Sequence, residues 1–269
     1  MMISTLPFPF RPRRPFVPVV RLQGVIASSG SRGTLSANGI APVIERAFRK
    51  GKPAAVALVI NSPGGSPVQS ALIGAHIRRL ADETSVPVHA FVEDVAASGG
   101  YWLAAAADDI WIDGSSITGS IGVISAGFGF PELLARYGIE RRVHTAGEDK
   151  SMLDPFRAER PQDIERLKAI QALIHGHFID HVKSRRGAKL DAARDLFTGE
   201  IFVGPEAVAA GLVDGIGHLV PKVQDLYGSK VRFVHLGQRR PFLQRLVPGI
   251  AQDSLSAIET RAHWARYGL

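Results

Sequence analysis

Apolar residues recur with two alternating rhythms between residues 16 and 236, and the two rhythms outline strands separated by helices. The run AAVALVI (54–60) is short, continuous and β-branched, as expected of a strand buried on both faces. FVPVVRLQGVI (16–26), VPVHAFV (86–92), IWI (110–112), IGVIS (121–125), IERRVHT (139–145) and VRFVHL (231–236) also read as strands. Between them the spacing lengthens. From Asn38 a helix is predicted with Ile40, Val43, Ile44 and Ala47 on one side. Residues 67–80 repeat Val68, Leu72, Ile73, His76 and Leu80 three and four apart, again a helical face. Small residues from Ser98 to Ala107 predict a third helix, PELLARYG (131–138) a short one ending in glycine, and residues 161–184 a long one. Asp163 and Glu165 lie near the start of that long helix, where they favour its dipole. Alternating strands and helices argue for an α/β fold with a mainly parallel sheet. No internal repeat interrupts the series.

The two ends differ from this body. Residues 1–15, rich in Pro, Arg and Phe, read as an irregular basic arm. Residues 16–228 read as one domain, and 229–269 as an extension that ends in a candidate amphipathic helix (254–267). The extension is expected to serve assembly or a membrane surface, with simple packing on its own domain as the plainer alternative.

Composition narrows the function. A chain of 269 residues with 45% hydrophobic and 21% charged residues can bury a substantial core. It has no cysteine, which excludes disulfides, thiolate metal sites and a cysteine nucleophile. The formal charge of +7 is concentrated toward the ends, at Arg11, Arg13, Arg14, Arg239, Arg240, Arg245, Arg261 and Arg266. No basic motif interleaved with aromatics accompanies it, so a nucleic-acid partner is not expected. No apolar run reaches the ~18–20 residues that cross a bilayer, and prolines and arginines break up the first residues where a secretory leader would be apolar. The chain is therefore expected to be cytoplasmic or peripherally membrane-associated.

Three short motifs carry candidate chemistry. Asn61-Ser62-Pro63-Gly64-Gly65 follows the buried run and precedes a helix; its glycines allow a sharp turn and leave amide N–H groups open to a negative oxygen. By itself it is more often a simple turn. Ala96-Ala97-Ser98-Gly99-Gly100-Tyr101-Trp102 puts a serine at another strand-to-helix corner, on the carboxyl edge of the sheet where α/β sites form. Ser98 reads equally as a helix N-cap or as a nucleophile. Gly147-Glu148-Asp149-Lys150-Ser151 is a polar loop whose lysine, taken alone, is simply solvated. His177 and His181 stand four apart on the long helix, without the glutamate that a zinc-peptidase motif places between them, so an ordinary helix face is the stronger reading. A triad of Ser98 with His89 or His144 stays open.

In combination these segments say more. NSPGGS, ASGGYW, TGSIGV (118–123), Lys150-Ser151 and FTGEIFVGPEAVAAGLVDGIG (197–217) occur in an order and spacing that resembles the signal peptide peptidase A family, over roughly residues 17–225. The separation of 52 residues between Ser98 and Lys150 is similar to that family's as well. The resemblance implies a Clp-protease/crotonase-like fold of repeated β-β-α units, a homo-oligomer enclosing its active sites, and a serine–lysine dyad that cleaves peptides, signal-peptide remnants among them, without metal or other cofactor. By matching positions it implies Ser98 as nucleophile, Lys150 as general base, Ser120 as the hydroxyl that holds the lysine, and the N–H groups of Gly65 and Gly99 as the oxyanion hole. The lysine can come from a neighbouring subunit. A free lysine titrates near ~10.4, so the base role demands a desolvated amine with no carboxylate against it, and Glu148 and Asp149 must point elsewhere. The family's usual membrane-spanning helix is not found in this chain. The rival readings are a crotonase-like acyl-CoA enzyme, for which no glutamate pair stands out, and a non-catalytic peptidase-like scaffold.

Overall fold

The computed structural model describes residues 14–28, 34–237, 261 and 263–269. The basic arm before residue 14 and most of the candidate helix at 254–267 lie outside the described residues. The first strand, β1 (Phe16–Gln23), leads through β2 (Val25–Ile26) and β3 (Thr34–Leu35) into α1 (Ala37–Arg49). Ser36 starts that helix, its Oγ accepting from Gly39 N–H at 3.3 Å. Helix α1 buries Ile40, Val43, Ile44, Ala47 and Phe48, the stripe that the spacing predicts.

The central strands are β4 (Val56–Ser62) and β5 (Val88–Ala97), joined by α2 (Pro67–Thr84). Every residue of β4 is buried, as a strand covered by helices on both faces requires. Helix α2 departs from expectation. It buries Ser70, Ile73, Gly74, Ile77, Leu80 and Ala81, whereas Val68 and Leu72 face outward, 64% and 51% exposed. The contact face is turned because Gly74 lets the Trp102 indole pack closely against the helix, with no side chain between them.

After β5 the chain forms α3 (Gly99–Ala105), β6 (Asp109–Ile112) and β7 (Ile117–Gly119), then leaves the body through α4 (Pro131–Arg136) and returns in the long α5 (Pro161–Arg186). β8 (Ile201–Val203), α6 (Pro205–Ala209), β9 (Gly215–Ile216), α7 (Leu219–Tyr227) and β10 (Arg232–Leu236) complete it. The main sheet runs β10-β1-β4-β5-β6-β9, with every neighbour parallel. β7 adds beside the last residues of β5, and β8 pairs antiparallel with β7. One large apolar cluster fills one face, around Leu22, Leu58, Ile60, Ile77, Tyr101 and Phe202. A smaller one, around Val17, Val59, Phe91 and Val223, fills the other.

Three expectations are corrected. Residues 121–125 form no strand; the strand lies just before them, in β7. Residues 139–145 form no strand either: among the described residues none pairs with them in a ladder, and Ile139 stays 57% exposed. Residues 232–236, assigned from sequence to the extension, are the edge strand of the main sheet, in register with Phe16–Val20.

Candidate functional site

Strand β5 is longer than its neighbours, and this is what places Ser98. Its first half pairs with β6 (His89–Val92 against Asp109–Ile112) and its last residues pair with β7 (Val95–Ala97 against Ile117–Gly119). Ser98 follows at once, outside the carboxyl end of the sheet, and Gly99 begins α3. The corner is sharp: Ser98 has φ 52° and ψ −122°, a conformation that L-residues avoid and that costs about 1–3 kcal/mol. It is held there by Ser98 N–H donating to Gly119 O at 2.9 Å and by Trp102 N–H donating to Ser98 O at 3.0 Å. The Ser98 hydroxyl does not cap the helix that follows it. Ser36 and Ser66 cap their helices through Oγ, whereas Ser98, in the same position before α3, makes no side-chain cap bond.

The NSPGG turn lies against this corner. Ser62 Oγ donates to Gly24 O at 2.7 Å and accepts from Gly64 N–H at 3.3 Å, which fixes the start of the turn. Strand β2 clamps its other side: Ile26 N–H donates to Gly64 O and Ser66 N–H to Ile26 O, both at 2.8 Å. Gly64 and Gly65, at φ 99° and 142°, are glycines by necessity. A Cβ on Gly64 would come within 2.8 Å of Ser98 Cβ and of Gly99 N. A Cβ on Gly99 would stand 3.4 Å from Gly65 N, so the two predicted amides are neighbours. Among the described residues neither the Gly65 nor the Gly99 N–H has an acceptor.

Ser120 joins the same cluster. It follows directly on Gly119, whose carbonyl holds Ser98, and its own N–H donates to Glu200 O at 2.7 Å. The FTGEIFV segment thus supports the Ser120 backbone from below, through β8. Ser120 too has a positive φ, 50°. Four of the five motifs therefore converge on Ser98: the structure brings together Ser98, Gly99, Gly65 and Ser120. Lys150 stands apart. It lies in a single 3-10 turn, Glu148–Ser151, on an exposed excursion between β7 and α5, and its amine has no hydrogen bond or ion pair among the described residues.

The histidines are accounted for elsewhere. His89 begins β5 and Ser98 follows its end, about 30 Å away along an extended strand. The His89 imidazole is buried between Asp109 (Nδ1 to Oδ1, 2.8 Å) and the Tyr227 hydroxyl (Nε2, 2.7 Å), so it is no partner for Ser98. His144 is on the exposed excursion. His181 stacks on Trp102 at 4.5 Å and donates Nε2–H to its carbonyl at 3.0 Å, and His175 makes the same contact with Ile121 O. Among the described residues no group of three or more His, Cys, Asp or Glu side chains is placed to hold a metal ion.

Ser62, Ile26 and Gly119 position the site without having been singled out from sequence. Ser62 and Gly119 sit inside motifs that were, NSPGGS and TGSIGV; Ile26 carries no such signal, because its role is played by backbone atoms.

An α/β sheet of Clp-protease/crotonase type, with a strained serine at its carboxyl edge beside two free amides, defines a class of protein. A comparison with solved structures gives the same fold: a serine-to-alanine mutant of the 1510-N membrane-bound stomatin-specific protease superposes with a TM-score of 0.52 at 15% identity, over 84% of this chain and 99% of that one. The model of peptidase family S49 matches residues 81–227, and the chain belongs to that family. Its relatives include the Arabidopsis thaliana protein named serine protease SPPA, chloroplastic, 29% identical over 91% of this chain and 38% of that protein. A Brucella melitensis protein named Na(+)/H(+) antiporter NhaA is 49% identical over 98% of this chain and 38% of that protein. The chain thus spans well under half the length of both. Among its described residues no helix is long and apolar enough to cross a membrane, and the transport activity in the second name is not carried over.

Proposed function

We propose that the chain is a serine peptidase in which Ser98 attacks the peptide carbonyl and Lys150 of an adjoining subunit takes its proton. The observation that supports this most directly is the free, strained Ser98 beside the unpaired N–H groups of Gly65 and Gly99. Ser98 Oγ bonds to the carbonyl carbon while its proton passes to the neutral Lys150 Nζ. The carbonyl oxygen becomes an oxyanion and accepts from the two amides, which need no reorganisation to receive it. Collapse breaks the C–N bond as Lys150 gives its proton to the departing amine; Lys150 then deprotonates the water that attacks the Ser98 ester and returns that proton to Ser98 Oγ as the acyl–oxygen bond breaks. Ser120 holds the lysine by a hydrogen bond.

The lysine is assigned to a neighbour because of the excursion that carries it. Ile124, Phe128, Leu133 and Tyr137 are 65%, 84%, 49% and 69% exposed along it, an apolar surface that the other described residues leave uncovered. Covering it with a second copy would also desolvate the amine, as its work as a base requires. Peptides are the substrate class, and signal-peptide remnants the particular one that the family resemblance suggests.

Mixing tests the assignment. Ser98→Ala and Lys150→Ala proteins are each expected to be inactive, and co-refolded mixtures to regain hydrolysis, because some sites then pair an intact serine with a neighbour's intact lysine. Activity in purified Lys150→Ala protein would end the lysine assignment. No labelling of Ser98 by a fluorophosphonate in the assembled protein would end the peptidase reading in favour of a scaffold.

A further inference from the structure

Ser120 has a contact that peptide hydrolysis does not use. The Tyr267 hydroxyl donates to Ser120 Oγ at 3.4 Å, across 147 residues of sequence. Tyr267 lies in the turn that follows a short helical segment, residues 263–265, closed by Tyr267 N–H and Leu269 N–H on Trp264 O and by Gly268 at φ 76°. His263, Trp264 and Tyr267 are half-buried, so the turn rests on the body of the protein. Ser120 is itself half-buried, with its backbone tied to Glu200, and the Tyr267 phenol covers its open side.

We propose that residues 263–269 form an autoinhibitory cap that occupies Ser120 and must leave before the Lys150 amine of a neighbouring subunit can dock there. The inference rests on the reading of Ser120 as the lysine's holder. The phenol and an incoming amine would compete for the same hydroxyl, because Ser120 Oγ already accepts from Tyr267. The contact is weak enough to be displaced: at 3.4 Å it is longer than an ordinary O–H···O bond, and it is worth no more than about twofold to threefold in an equilibrium. The cap therefore biases the site toward a latent form and does not lock it.

Two full-length variants test the cap. Tyr267→Phe removes the hydroxyl and keeps the ring; Tyr267→Ala removes both. Expected kcat/KM toward a peptide substrate rises about twofold to threefold for the first and further for the second. A peptide of sequence RAHWARYGL added to Tyr267→Ala protein should restore inhibition. Rates at or below that of the unmodified chain in both variants would overturn the proposal.

A second measurement is independent of catalysis. The chain has no cysteine, so Ser120→Cys with Lys150→Cys gives one defined pair for a short bis-maleimide cross-linker. The yield of linked subunits should rise when Tyr267→Ala is added, and an unchanged yield would overturn the cap even in protein that hydrolyses nothing. If all variants lack hydrolysis yet the yield rises, the peptidase reading fails and the cap stands.

Discussion

Ser98 is the residue in which local conformation and chemistry meet most directly. Its φ of 52° is tolerated because the backbone bonds to Gly119 O and from Trp102 N–H hold both sides of the corner. Strain at such a position is relieved by glycine, which visits positive φ freely. Ser98→Gly and Ser98→Ala should both abolish hydrolysis, but the glycine variant should be more stable than the alanine one by about 1 kcal/mol, read as a higher urea midpoint. Equal midpoints would mean that the corner holds no strain. The motif ASGGYW announces this serine in the sequence. It does not distinguish a cap from a nucleophile, since serine precedes helices for both reasons, and Ser36 and Ser66 show the commoner use.

Helix α5 shows how one element braces the site from outside. His175 and His181 tie it to Ile121 O and Trp102 O, next to Ser120 and within α3. At its end the buried Arg186 donates to Gly211 O at 3.0 Å and to Asp214 Oδ2 at 2.6 Å. Burial pushes the Asp214 carboxyl up, but hydrogen bonds from Arg186 and Lys189 outweigh this and hold it below the ordinary carboxylate range. Arg186→Leu would strip the carbonyl and leave Asp214 with Lys189 and the Ile110 N–H, at a cost of about 3 kcal/mol, measurable by chemical denaturation. Burial lowers the affinity of His181 for a proton, more than the Trp102 carbonyl raises it, and Arg185 lowers it further. The unfolded chain therefore binds that proton more readily. The stability His181 contributes is present above about pH 6.5, its unfolded value, and is lost as pH falls below it. His181→Phe keeps the stacking and removes the titration, so its urea midpoint should fall less between pH 7 and pH 5 than that of the unmodified chain. Much of this element was legible: residues 161–184 read as a long helix with Asp163 and Glu165 near its start, and the helix observed is Pro161–Arg186. Its partners were not, because His175, His181 and Arg186 look like residues of a solvated helix face until the tertiary contacts remove them from water.

For the molecule as a whole, the excursion between β7 and α5 decides the behaviour. It makes local contacts of its own, with the Arg141 guanidinium over the Phe156 ring at 4.7 Å and Arg141 Nε on Asp154 at 3.0 Å, yet Phe128 and Tyr137 remain bare. If these residues bind a second copy, Phe128→Asp with Tyr137→Asp should yield monomers in sedimentation and remove hydrolysis, while the far-UV spectrum and urea midpoint of the domain stay unchanged. Retained activity in the monomer would place Lys150 within its own subunit. The alternation of strands and helices, the buried β4 and the order of the five motifs could all be read from the chain, since periodicity and turn residues are local properties. Register, the rotation of α2 that exposes Val68 and Leu72, the addition of β10 beside β1 and the failure of residues 139–145 to pair could not, since each depends on which neighbour is available in space. The same division runs through the site. Residue types and spacing nominate Ser98, Gly65, Gly99 and Ser120, but only packing makes Gly64 and Gly65 touch the Ser98 corner, leaves two amides without acceptors, and sets Lys150 out on a surface that the other described residues do not cover.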